Sequence, residues 1–124
     1  MKYIPSRRVG ATLLVTAVAG GSLAAGVANG ATTLKLKSKK QGVSFTKKSL
    51  SASAGRVTIR LTVPSGSQFP HAIAIRGNGV DKSGKVVPSG KSTVRANLKR
   101  GSYTFYCPVG EHAENGMRGT LRVR

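Results

Sequence analysis

The chain has one cysteine, two histidines and three acidic residues among its 124 positions. A lone cysteine, Cys107, cannot close an intramolecular disulfide, so in an exported protein the thiol calls for another explanation. Intermolecular bridging, an inert buried thiol and metal ligation are the three on offer. So few titratable groups cannot build a metal site and separate acid–base chemistry side by side, which sets enzymes aside. Aromatic residues are sparse on outward positions, and this weighs against nucleic acid as a partner, since single strands are gripped by stacking on such side chains. Beyond the N-terminal segment no stretch keeps helical periodicity over ten residues. There is no internal repeat, and the glycine-rich turns match no nucleotide-binding template.

Positive charge, by contrast, is abundant: 21 Lys and Arg stand against the three acids. Lys2, Arg7 and Arg8 precede an uncharged run from Val9 to Leu34 that is rich in Ala, Val and Gly, the pattern of an export signal. Ser6-Arg7-Arg8 is similar to the start of a twin-arginine signal, and Gly10, Gly20, Gly21 and Gly26 keep the run only moderately apolar, as that route tolerates. The expected organisation is a signal segment over residues 1–30 and one small domain over residues 31–124. Gly26-Val27-Ala28 and Ala28-Asn29-Gly30 offer small residues to a peptidase. The alternative is an uncleaved anchor, because a bilayer span needs about 20 residues. The expected location is the periplasm, the cell envelope or the outside of the cell. The domain itself keeps 18 basic residues against 3 acidic ones, a net charge of +15. Such a field draws a protein to anionic membrane or wall and to acidic docking surfaces.

The pattern of the domain is all-β. Leu34/Leu36, Val43/Phe45, Val57/Ile59/Leu61/Val63, Ile73/Ile75, Val94/Ala96/Leu98, Tyr103/Phe105/Cys107 and Leu121/Val123 each mark the inward face of a candidate strand. Polar and basic residues between them, such as Lys35, Arg60, Arg95 and Arg122, mark the solvent face and account for most of the charge as a solvated exterior. Turn residues at Ser53-Ala54-Gly55, Pro64-Ser65-Gly66, Gly77-Asn78-Gly79 and Pro88-Ser89-Gly90 punctuate the strands. Seven to eight strands at this spacing predict a Greek-key β-sandwich. The segment from Gly77 to Gly90 has the least regular pattern.

The closing loop, from Tyr106-Cys107 through His112 to Met117, gathers a thiol, an imidazole and a thioether. These are the donors of a mononuclear copper centre, and a trigonal His2Cys set with a weak axial Met is the arrangement of blue-copper electron transfer. The second imidazole has to come from His71, at the head of the alternating run His71-Ala72-Ile73-Ala74-Ile75. This predicts a strand in which His71 faces inward with Ile73 and Ile75. Cys107 continues the inward face of Tyr103 and Phe105. Pro108 and Gly110 constrain and bend the loop so that Cys107 and His112 can converge on one ion.

A histidine opening a strand, followed much later by Cys, His and Met in one loop, resembles the cupredoxins, the family of plastocyanin and azurin. The resemblance runs from about Leu34 to the C-terminus and rests on PHAIAI (Pro70 to Ile75) and GSYTFYCPVGEHAENGMRGTLRV (Gly101 to Val123). It implies one type 1 copper ion held by His71, Cys107 and His112, with Met117 as axial ligand. It further implies a protein that carries single electrons and is not an enzyme, with electrons leaving by the His112 edge. Pro70, Pro108, Val109 and Ala113 are expected around that edge. Two features depart from the family pattern: Ala72 stands where many relatives have a bracing asparagine, and Glu111 and Glu114 flank His112 in an otherwise basic chain. The acids serve loop solubility or form a small acidic spot at the docking edge. The expected partner is a redox protein with an acidic docking surface, met by a monomer. The alternative with the same ligands is a carrier delivering copper to an extracytoplasmic oxidase or reductase. Zinc is set aside because Met is a poor zinc ligand, and a multicopper oxidase would need further histidines.

Overall fold

The computed structural model describes residues 30–124; the expected export segment, whether cleaved or kept as an anchor, lies outside the described residues. Eight strands follow one another: β1 (Ala31–Lys37), β2 (Ser49–Ala52), β3 (Gly55–Val63), β4 (Ala74–Gly77), β5 (Val80–Ser83), β6 (Gly90–Leu98), β7 (Gly101–Tyr106) and β8 (Arg118–Val123). They form a three-stranded sheet in the order β1-β3-β6 and a five-stranded sheet in the order β2-β8-β7-β4-β5. The fold is the expected all-β Greek-key sandwich. β1 runs parallel to β3 and β2 parallel to β8, while the other pairs are antiparallel.

Alternation explains the core. In β3, Val57, Ile59, Leu61 and Val63 are buried, and in the paired β6, Ser92, Val94, Ala96 and Leu98 are. The opposing sheet supplies Ile75, Tyr103, Phe105, Leu121 and Val123. Each large side chain taken from water this way contributes about 1.5–3 kcal/mol. Phe105 packs on Phe45 with ring centroids 5.6 Å apart. The buried Tyr103 returns its hydroxyl to the Lys99 carbonyl at 2.8 Å across the β6–β7 turn, a corner device common in β-sandwiches.

Three details differ from the sequence pattern. Val43/Phe45 forms no strand: Phe45 makes an isolated bridge to Ser38 and reaches the core from a loop. The strand expected from His71 begins three residues later, at Ala74, and His71 makes an isolated antiparallel bridge with Val87. Residues 71–75 are all buried, alternate positions included, because the chain is covered on both sides there and alternation no longer separates core from solvent. Finally, the irregular Gly77–Gly90 stretch contains β5. Asn78 (φ 49°) and Gly79 (φ 83°) close a two-residue β4–β5 hairpin between the paired Gly77 and Val80, and two positive φ values are what such a turn requires.

Candidate metal centre

Two chain reversals at one end of the sandwich deliver the donors. After β3, residues 64–70 lead into His71, whose N–H donates to the Val87 carbonyl at 3.0 Å while its own carbonyl accepts the Val87 N–H at 2.9 Å. After β7, the chain leaves the sheet at Cys107 and rejoins it at β8. The Cys107 N–H donates to the Met117 carbonyl at 3.0 Å, so the ends of the eleven-residue loop 107–117 are tied together. Inside the loop the His112 N–H donates to Val109 O at 3.0 Å and the Met117 N–H to His112 O at 2.9 Å. Gly110 and Gly116 take positive φ at its bends. His112 is thus held by backbone bonds on both sides.

His71, Cys107 and His112 come together with their donor atoms within 4.8 Å of one another. Cys107 Sγ lies 3.9 Å from His71 Nδ1 and 3.5 Å from His112 Nδ1. Bonds of about 2.3 Å to sulfur and about 2.0 Å to nitrogen, at a trigonal angle, would separate S and N by roughly 3.7 Å, and the two observed distances bracket that figure. Cys107 and His71 are fully buried, and His112 is half-buried. Burial, reinforced by repulsion from His112, lowers the His71 pKa below the usual 6.5, which keeps its imidazole neutral and its lone pair available at neutral pH. Met117 is also fully buried, and its backbone bonds to both Cys107 and His112. A thiol, two imidazoles and a buried methionine whose backbone bonds to both Cys107 and His112 fit copper better than a hard oxygen-seeking ion.

The support around His71 is unlike the expected asparagine brace. Ala72 is fully buried and offers no polar atom from its side chain. The brace comes from β6: the buried Ser92 hydroxyl accepts the Ile73 N–H at 3.2 Å and donates to Lys85 O at 2.6 Å. One hydroxyl therefore joins the segment behind His71 to the segment that leads into Val87. His71 Nε2 is buried without a hydrogen-bond partner among the described residues, whereas a metal-ligating histidine ordinarily donates from its second nitrogen. The Val87 bridge holds the His71 backbone, and the ring itself packs against His112 with centroids 5.1 Å apart.

Of the residues expected around the exit edge, Pro70 and Pro108 are exposed and Val109 and Ala113 half-buried. Glu111 and Glu114 are exposed, and Glu114 shares a 290 Å³ cleft with Arg76 and Arg118 beside Cys107. Glu114 is accordingly set beside cations. Arg76 also lies over the Tyr106 ring at 4.4 Å.

The sequence reading missed three residues here, Phe69, Val86 and Ser92. Phe69, 39% exposed, meets His112 edge-on with ring centroids 5.8 Å apart, and Val86 is 55% exposed next to the His71 bridge partner Val87. Phe69 could have been suspected as an aromatic outside any alternating run, directly before Pro70-His71. Ser92 could not, because a serine in a strand gives no sign of where its hydroxyl points.

Residues 32–124 match the family model of copper binding proteins of the plastocyanin/azurin family. No curated protein sequence matches at a significant level. Among solved structures, auracyanin A, a blue copper protein from the green thermophilic photosynthetic bacterium Chloroflexus aurantiacus, is 22% identical with a TM-score of 0.63, covering 77% of this chain and all of its own. Auracyanin B is 18% identical with a TM-score of 0.65, covering 75% of this chain and 88% of its own. Rusticyanin from Thiobacillus ferrooxidans is 19% identical with a TM-score of 0.52, covering 74% and 77%. At these identities the likeness is one of fold.

Proposed function

Because the chain belongs to the plastocyanin/azurin family of copper-binding proteins, we propose that it carries single electrons between redox partners outside the cytoplasm. Its cofactor is copper, and the reading assigns the ligands as His71 Nδ1, Cys107 Sγ and His112 Nδ1, with the Met117 thioether axial. The bound ion would supply a one-electron Cu(I)/Cu(II) couple. The protein's part is to hold the four donors still. His71 is pinned through Val87 and Ser92, and the loop bearing the other three is closed on itself, so little has to rearrange when the charge on the ion changes.

The observation that carries the proposal is the gradient of burial: Cys107 and His71 are sealed in the core, while the half-buried His112 touches the exposed Phe69. An electron needs a short route to the surface, and this arrangement provides one without letting water reach the thiolate. The same burial disfavours a copper carrier, which must hand its ion to an acceptor's ligands. Pro70, Pro108, Val109 and Ala113 then surround the docking edge. The net positive charge steers an acidic partner toward it from a distance. Export follows from the N-terminal pattern of the sequence, and the protein works as a monomer.

The test is to add Cu(II) to the purified protein and record visible absorption and electron paramagnetic resonance beside a Cys107→Ser control. An intense thiolate-to-copper band with narrow hyperfine splitting, both absent in the control, supports the site. Rapid electron self-exchange without copper loss to a competing chelator then separates a shuttle from a carrier. A colourless protein with no tight copper binding refutes the assignment.

A further inference from the structure

The charge of the domain is unevenly divided between the sheets. Its three acids all belong to the five-stranded side: Asp81 is in β5, and Glu111 and Glu114 are in the loop joining β7 to β8. The five-stranded side mixes these acids with cations such as Arg76, Lys82, Arg118 and Arg122, whereas the charged outward positions of the three-stranded sheet are all cationic. Across its register Lys35 pairs with Arg60, Thr62 with Lys91, Thr58 with Arg95 and Arg56 with Asn97, and Lys37 lies beside Thr62. Six cations share this face with no carboxylate. Along its edge, Lys47 from the β1–β2 connection joins Lys35, Lys37, Arg60 and Lys91 around a groove of about 460 Å³ whose lining contains no acid.

None of these residues belongs to the metal centre. The electron-transfer reading draws on the net charge but not on its placement on this face, and solubility alone does not require all the acids to be on the other side. Two kinds of occupant have the right charge, an acidic protein and an anionic lipid surface. Specific protein interfaces rely on buried aromatic and apolar anchors. The exposed large hydrophobics among the described residues, Phe69 and Val86, lie outside the three strands and their groove. Adsorption to lipid headgroups needs charge alone. In addition, the first cations after the uncharged Val9–Leu34 run are Lys35 and Lys37, both on this face.

We propose that the outer face of the three-stranded sheet adsorbs to an anionic phospholipid bilayer, with the Lys35/Lys37/Lys47/Arg60/Lys91 groove seating a phosphate headgroup. The metal-bearing loops follow the ends of β3 and β7. A bilayer against the sheet face therefore leaves the His112 edge free at the side, facing partners that lie along the membrane.

The test is sedimentation of the purified full chain with vesicles of phosphatidylcholine alone and of phosphatidylcholine mixed with phosphatidylglycerol, at low and raised salt. The neutral vesicles measure any contribution from the apolar N-terminal run. The expected result is salt-sensitive binding to the anionic vesicles that weakens about fivefold for each charge removed in a Lys35→Gln/Lys37→Gln/Arg60→Gln/Lys91→Gln variant. A control variant on the other side, Lys82→Gln/Arg100→Gln/Arg122→Gln/Arg124→Gln, should keep most of the binding. Circular dichroism verifies the fold of both. Equal loss in the two variants would mean that net charge rather than this face binds, and overturns the proposal. Equal binding to neutral and anionic vesicles overturns it as well. So would retention on immobilised polyglutamate without binding to anionic vesicles, which assigns the face to an acidic protein instead.

Discussion

Replacing Ser92 with alanine tests how His71 is held. Ser92 is 1% exposed, and its hydroxyl makes two hydrogen bonds, one from the Ile73 N–H and one to the Lys85 carbonyl. Alanine removes both, but the costs are unequal. Lys85 and Val86 are exposed, so water can replace the lost donor there; Ile73 is fully buried, so its N–H is left without an acceptor. An unsatisfied buried donor costs about 1–3 kcal/mol. A loss of about 2 kcal/mol lowers the melting temperature of a domain of this size by about 8–16 °C. Urea denaturation of the metal-free protein measures the loss directly. The same change loosens the segment behind His71, so the copper-loaded variant should show a shifted thiolate-to-copper band and faster release to a chelator. Lys85→Ala keeps the backbone carbonyl and should change neither property. A Ser92→Ala protein within about 0.5 kcal/mol of the parent, the range of neutral surface changes, and with an unaltered band would refute the account.

Phe69→Ala removes the edge-on partner of His112, a pair contributing about 1 kcal/mol; electron self-exchange should slow by roughly fivefold while the copper band stays in place, and an unchanged rate would exclude Phe69 from the exit route. Met117→Leu keeps the core volume at a cost under about 1.5 kcal/mol but removes the thioether, so the cupric state loses a donor and voltammetry should show a raised reduction potential; an unmoved potential would remove Met117 from the ligand set. Acidification has a defined sign for the metal-free protein. His71 has its pKa lowered below 6.5 by burial and then by His112, so below pH 6.5 the unfolded chain binds a proton that the folded one refuses. Stability should be full above that value, fall as pH drops below it, and level off under the lowered folded-state pKa. Urea midpoints across that range provide the measurement, and a His71→Gln variant should lack this component.

The ligands were legible because copper asks for unusual chemistry. One Cys, two His and a Met in a short chain leave few combinations, and strand parity placed Cys107 on the inward side with Tyr103 and Phe105. Parity also marked β1, β3, β6, β7 and β8 through their buried residues. It failed where its physical basis failed. Around His71 to Ile75 the chain is covered from both sides, so alternation no longer marks a strand or where it starts. Phe45 reached the core from a loop, and apolar character alone could not distinguish that from a strand. β2 and β5 are four-residue strands, too short for a pattern, and they form because β8 and β4 offer open edges to pair with.

The sequence by itself determined the donor set, the sandwich class and the sign of the surface, since each depends on residue identity and on a period of two that any strand obeys. Tertiary structure decided which histidine is sealed and which reaches the surface, because burial depends on what packs above a residue. It replaced the missing asparagine brace with a serine 20 positions further along, and set Phe69 against His112. It also gathered the three acids on the five-stranded side. These are contacts between segments far apart in the chain, and only closing the two sheets over one core brings them within bonding distance.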